Sequence, residues 1–135
     1  MALQYSVPVR NARLDVVEST ISTSARMKIF TGSPPADCAT ADSGTLLADL
    51  TLPSDWMAAA SGGTKALSGT WEDTSADGTG TAGHFRIYES TATTCHIQGT
   101  ITITSGGGDM EVDNTSFATG QSFSVTTFTL TAGNA

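Results

Sequence analysis

Among the side chains able to act as bases, nucleophiles or metal ligands, the chain carries two histidines, His84 and His96, and two cysteines, Cys38 and Cys95. Both histidines fall in segments that read as strands joined by a short turn. There they occupy the polar faces, placed to be cross-strand neighbours. A zinc site built on them needs a third ligand, and no Asp or Glu stands at a matching position. Cys95 and His96 are adjacent in an alternating strand and point to opposite faces, so they do not form a nucleophile–base pair. The histidines therefore read as surface or sheet-pairing residues.

The carboxylates offer little more. Gly106-Gly107-Gly108-Asp109-Met110 has the look of a calcium-binding glycine–aspartate turn. Such turns work in repeated arrays, and there is one copy. Asp73, Asp77, Asp109 and Asp113 lie in loops or at strand ends, and a hard cation needs several converging oxygens. Spacing selects no pair for glycoside hydrolysis. No nucleophile elbow, phosphate loop or metalloprotease helix is present. Asn114-Thr115-Ser116 matches a glycosylation acceptor, which has no meaning without a secretory route. The expectation is a non-enzymatic protein with no catalytic residues, no metal and no cofactor. Trp56 and Trp71 carry the remaining alternative, a glycan-binding module in which exposed indoles stack on sugars. Trp71 shares parity with Leu67, which favours the core, and Trp56 follows a strand end, where it would cover the rim.

The elements that hold these residues come from periodicity. Residues 8–24 read as one helix, with Pro8 at the entry. Leu14, Val17 and Ile21 recur at helical spacing, and Val9 or Val16 widens the stripe. Arg10, Arg13, Asp15 and Glu18 fall mostly on the other side. A period of two follows from about Ala25 to Thr31. Pro34-Pro35 opens a loop that runs to Gly44. Thr45–Leu52 is a strand with Leu46, Ala48, Leu50 and Leu52 on one face. Pro53 ends it, and Ser54–Ala60 is expected to form a short helical turn. Ala66–Glu72 reads as a strand, as does Gly83–Ser90, with Phe85 and Ile87 opposite His84, Arg86 and Tyr88. In Thr94–Thr104, Cys95, Ile97, Gly99, Ile101 and Ile103 alternate with polar residues. Asp109–Asp113 is a short strand, and Phe117 a core plug. In Gln121–Thr131, Phe123 and Val125 have the opposite parity to Phe128 and Leu130, which calls for a β-bulge or bend near Thr126-Thr127, the alternative being a strand buried on both faces.

About seven strands and one helix result. The fold class is mainly β: a single antiparallel β-sandwich or small β-barrel with one N-terminal α-helix. The chain divides into an N-terminal arm and helix, 1–24, and a β domain, 25–135. Its length suits one hydrophobic core. Only 14% of residues are charged and 39% hydrophobic, with a net charge of −7. Residues 1–30 hold four basic and two acidic side chains, a net +2, whereas residues 31–135 hold Lys65 and Arg86 against eleven acids, a net −9. An acidic body argues against nucleic-acid binding. No run of apolar residues is long enough to span a membrane, and no secretory signal is visible. Two cysteines make no disulfide framework, so free thiols in a reducing cytoplasm are the default, with one bridge formed after release as the alternative.

Several runs carry a resemblance: Arg13-Leu14-Asp15-Val16-Val17-Glu18-Ser19, Leu50-Thr51-Leu52-Pro53-Ser54-Asp55-Trp56-Met57, Gly80-Thr81-Ala82-Gly83-His84-Phe85-Arg86-Ile87-Tyr88 and Cys95-His96-Ile97-Gln98-Gly99-Thr100. The ending does too, from Val112-Asp113-Asn114-Thr115 through Gly120-Gln121-Ser122-Phe123 to Phe128-Thr129-Leu130. Together they resemble small structural proteins of tailed bacteriophages and prophages. The resemblance implies a virion component, assembled in the bacterial host cytoplasm and released by lysis. A capsid decoration or cementing protein on the head surface is the preferred version, and a tail- or neck-associated protein the alternative. Its partners would be the major capsid protein or other virion proteins, with the chain itself a homo-oligomer. In that reading the N-terminal segment docks on the shell or a sister subunit, through Tyr5, Arg10, Arg13, Leu14 and Val17.

Overall fold

The computed structural model describes residues 2–133. Helix α1 spans Val7–Ile21, capped by Ser6, whose side-chain oxygen accepts from the Val9 amide at 3.4 Å. Pro8 lies in the first turn, where a missing amide costs no helical bond. The helix stops at Ser22, which takes φ +75° while its amide still donates to the Glu18 carbonyl at 2.8 Å.

The inward stripe of α1 is helical in spacing but mixed in chemistry. Leu14 and Ile21 are buried and Val17 packs on the core. Asn11, Asp15 and Glu18 face the β domain beside them, each accepting a hydrogen bond from it. Two expectations are thereby corrected. Val9 and Val16 do not widen the packed stripe but point to solvent, and Asp15 and Glu18 lie on the packed side.

Among the described residues nine strands follow: β1 Arg26–Thr31, β2 Leu46–Thr51, β3 Thr64–Ala66, β4 Glu72–Asp73, β5 Gly80–Tyr88, β6 Cys95–Ile103, β7 Met110–Val112, β8 Ser116–Phe117 and β9 Phe123–Thr131. They form one mostly antiparallel sheet in the order β2-β1-β5-β6-β7-β9-β3, with β4 paired to β9 and β8 to β5. Only β6 and β7 run parallel. The sheet folds over on itself in a sandwich-like arrangement. Phe85 of β5 and Phe128 of β9 stand three strands apart in the order, yet their rings meet edge to face at 5.5 Å. A flat sheet would hold them well over 10 Å apart, at about 4.8 Å per strand. The fold is thus mainly β with one N-terminal helix, as the periodicity predicts.

The core between the folded halves holds Met27, Ile29, Leu47, Trp56, Trp71 and Phe128 among others. Trp71 lies between Trp56 and Phe128, with ring centroids at 5.9 and 5.4 Å. Both indole N–H groups donate to backbone carbonyls, Trp56 to Ser22 at 2.9 Å and Trp71 to Trp56 at 3.1 Å. Phe117 is a buried plug. The parity conflict in β9 resolves as foreseen. Glu111 pairs with Thr127 and Val112 with Val125, so Thr126 is the extra residue and Phe123, Val125 and Phe128 all turn inward.

Elsewhere register shifts upset the reading by twos. A shift between Ile29 and Phe30 leaves Leu47 extra in β2, so Leu47 is buried and Leu46 changes side. Another, between Ile87 and Tyr88, leaves His96 extra and pairs Cys95 with Tyr88. Cys95 therefore joins the Arg86 face and not the Ile97 face. Ile103, expected inward, is 54% exposed at the strand end. Ser54–Ala60 forms no helical turn; it runs as an irregular strap with a single bridge, Met57 to Leu67. Its amides of Met57 and Ala60 bond to carboxylates of α1, a tertiary demand that local propensity does not register. The expected strand Ala66–Glu72 is interrupted: β3 ends at Ala66 and β4 begins at Glu72.

Candidate functional site

Two buried cations organise the surroundings of the sheet. The first is Lys65 in β3, whose side chain is 2% exposed. A lone buried ammonium is costly, so its three donors must be met. Nζ donates to Asp15 Oδ1 and the Ala58 carbonyl at 2.8 and 2.9 Å and pairs with Glu18 Oε2 at 2.8 Å. Burial pulls the Lys65 pKa down, but the two carboxylates outweigh it and the net shift is upward. The same carboxylates hold the strap: the Ala60 amide donates to Asp15 and the Met57 amide to Glu18, at 2.9 and 3.2 Å. Hydrogen bonds from Lys65 and Ala60 in turn hold the Asp15 carboxyl below its usual range. Farther up the helix, Gly63 N–H donates to Asn11 Oδ1 at 2.8 Å, and Arg10 Nε donates to the Ala132 carbonyl at 2.7 Å. An open cleft of about 630 Å³ lies alongside, lined by Asp15, Glu18, Ser22, Asp55, Met57 and Lys65. Fully bonded and held charged, Lys65 is no nucleophile.

The second cation is Arg86, 1% exposed, in the second half of β5. It lies on the face that also carries His84 and Tyr88. That face was expected to be polar and open; instead all three side chains are buried. The cause is the connection 32–44, which folds back over the sheet. Two glycines permit it: Gly44 has φ +79°, and at Gly83 a Cβ would run into the Gly32 carbonyl. Once over the sheet, the loop presents backbone carbonyls without a strand partner. Arg86 Nη2 donates to the Cys38 carbonyl at 2.9 Å and the Asp37 carbonyl at 3.4 Å, and Nη1 pairs with Asp42 at 2.6 Å. Gln98 Nε2 adds a bond to the Pro35 carbonyl at 2.7 Å. The Tyr88 hydroxyl donates to the same Asp42 carboxylate, and burial followed by that bond pushes the phenol pKa well up.

Both cysteines belong to this face. Arg86 Nε donates to Cys95 Sγ at 3.2 Å, and Cys38 and Cys95 line one cleft of about 240 Å³ with Arg86, Tyr88 and Asp42. Burial first, and then the neighbouring Cys38 thiol, push the Cys95 pKa up to about 11. A thiol so held is not an activated nucleophile.

The histidines part company. His96 is exposed, as expected. His84 is a correction: it is buried, stacked on Phe30 at 5.2 Å, with Nδ1 2.9 Å from the Gly32 carbonyl. It pairs with Thr100 and not with His96, so the two are not cross-strand neighbours. Asp109 accepts from the Thr100 amide and hydroxyl at 2.8 and 2.9 Å, which ties the glycine turn to β6. Trp56 and Trp71 are 0% and 1% exposed, so neither indole presents a face to a sugar.

The five residues read as a docking set are divided. Leu14 and Val17 pack on the chain's own β domain, and Arg10 reaches Ala132. Tyr5 and Arg13 lie outside, the guanidinium 5.2 Å from the ring centroid. The residues that sequence reasoning missed are Lys65, Arg86 and Asp42. The sequence held one partial signal for the cations, since they are the only Lys or Arg residues after position 28, but nothing in it named their partners.

The outermost feature is apolar. Among the described residues the exposed large hydrophobics are Leu3, Tyr5, Val7, Val9, Val16 and Ile103, all but the last in the N-terminal segment. Val9 and Val16 stand two helical turns apart and so share one face of α1, with Arg13 between them. No helix among the described residues is long and apolar enough to cross a membrane. Comparison of the chain with protein-family models, with curated proteins and with solved structures finds no match in any of the three.

Proposed function

We propose that the chain is a non-enzymatic structural protein of a tailed-phage particle, a homo-oligomeric decoration or cementing protein that docks on the major capsid protein. The observation that carries this reading is the apolar N-terminal surface. Leu3, Val9 and Val16 are 74%, 44% and 59% exposed, while Leu14, Val17 and Ile21 on the opposite side of α1 pack against the β domain. Exposed apolar side chains gathered on one segment mark a surface that meets another protein. The resemblance to phage structural proteins supplies the class of that protein. Buried cations already neutralised, a thiol with a raised pKa and tryptophans withdrawn into the core fit an exterior used for recognition.

The docking residues in this reading are Leu3, Tyr5, Val9, Arg13 and Val16. The test is a triple variant, Leu3→Ser/Val9→Ser/Val16→Ser, added to purified particles that lack the protein. Its melting temperature should match the parent, since exposed substitutions change stability by about 0.5 kcal/mol or less. Its occupancy on particles should fall at least about tenfold, because three buried apolar contacts contribute more than 1.4 kcal/mol. Full occupancy by the folded triple variant would remove the N-terminal surface as the anchor. Labelling confined to the neck or tail would replace the head assignment with the tail-associated alternative.

A further inference from the structure

We infer that Cys38 and Cys95 form an intramolecular disulfide site, closed by a disulfide oxidant such as oxidised glutathione, that fastens the 32–44 loop to the sheet. Nothing in this inference depends on the particle assignment.

The two cysteines are far apart in sequence and lie on different elements, one on the loop and one at the start of β6. Both are free and half-buried. A register shift at His96 turns Cys95 onto the Arg86 face, and the loop brings Cys38 over that face. There both cysteines line one small cleft with Arg86, Tyr88 and Asp42. One guanidinium contacts both residues, donating to Cys95 Sγ at 3.2 Å and to the Cys38 carbonyl at 2.9 Å. Had β6 kept a strict alternation, Cys95 would face the opposite side. The loop has no strand of its own, so it is able to take up the small backbone adjustment that disulfide geometry demands.

The chemistry is ordinary thiol–disulfide exchange. The Cys38 thiolate attacks oxidised glutathione, forming a mixed disulfide and releasing one glutathione thiolate. The Cys95 thiolate then attacks the Cys38 sulfur, forming the protein S–S bond and releasing the second glutathione. The protein loses two hydrogens and two electrons, and oxidised glutathione becomes two molecules of glutathione, which carry away both protons. A reducing cytoplasm holds the site open, and an oxidising exterior closes it.

The experiment uses the full chain, natively folded, equilibrated in glutathione buffers of increasing oxidised fraction. Remaining thiols are blocked with N-ethylmaleimide, and intact mass and peptide mapping follow. The expected product is a monomer lighter by two hydrogens, with the Cys38 and Cys95 peptides joined and no retained glutathione. Its melting temperature should rise by roughly 10 °C, since a long chain segment is closed into a ring, and dithiothreitol should reverse the rise. Cys38→Ser, which keeps Cys95, should show no such rise. Stable glutathione adducts on both cysteines, cross-linked dimers as the main product, or an equal rise in Cys38→Ser would overturn the inference.

Discussion

Lys65 and Arg86 are both cations buried at the surface of a sheet, and each holds down an element that the sheet's own hydrogen-bond ladder cannot reach. They differ in what they hold. Lys65 secures a helix, which satisfies its own backbone and offers carboxylates from successive turns, Asp15 and Glu18. Arg86 secures a coil, whose unpaired carbonyls at Asp37 and Cys38 become the acceptors, with Asp42 as its ion-pair partner. The planar guanidinium reaches several acceptors at once, whereas the compact ammonium suits a converging pair of carboxylates. The comparison teaches that one device serves two elements, with the side-chain type matched to what the element leaves unsatisfied.

The largest effect should come from the coil side. Arg86→Met should cost about 3 kcal/mol, measured as the shift in urea midpoint, because it strands loop carbonyls and the Tyr88–Asp42 pair beneath the loop. It should also raise protease cutting within 32–44. Lys65→Met should cost less, about 1–2 kcal/mol, since Asp15 and Glu18 keep their bonds to strap amides and water reaches Asp15. An equal or larger cost at Lys65 would break the distinction between coil and helix.

Alkaline pH sharpens the contrast further. The Cys95 thiol is raised from 9.0 to about 11 on folding, so its contribution is complete below pH 9 and is lost as pH rises through 11. Lys65 is raised from 10.5, so its contribution is complete below that value and is lost only above it. Between pH 9 and 10.5 the reduced protein should therefore lose about 1 kcal/mol of stability through the loop side. Urea titrations at successive pH values should show this slope in the parent and in Lys65→Met, and a flatter one in Cys95→Ser. The smallest effect should be at Arg26–Asp49, a half-exposed pair at 2.6 Å between β1 and β2. There the ladder already joins the elements, and a double-mutant cycle should return about 0.5 kcal/mol. A value near that of Arg86 would mean that ion pairs matter equally wherever they occur.

Much of this architecture was readable in advance where neighbours in sequence decide it. Leu14, Val17 and Ile21 disclosed the helix, and the parity of Phe123, Val125, Phe128 and Leu130 disclosed the Thr126 bulge. The Lys65 and Arg86 sites were not readable. Their partners lie at long range, Asp15 on the helix and Asp42 on the loop. An alternating strand with His84, Arg86 and Tyr88 on one side signals an open polar face unless something covers it. The covering loop is glycine- and proline-marked coil, and coil carries no period to say where it will lie.

The amino-acid sequence by itself determined a mainly β chain with one N-terminal helix and a greasy interior, since side-chain period and turn chemistry are local properties. Tertiary structure alone decided which polar residues were buried, which face each cysteine took and which valines stayed outside. Those outcomes depend on register shifts and on a loop folding back, and both are settled by contacts between segments distant in the chain.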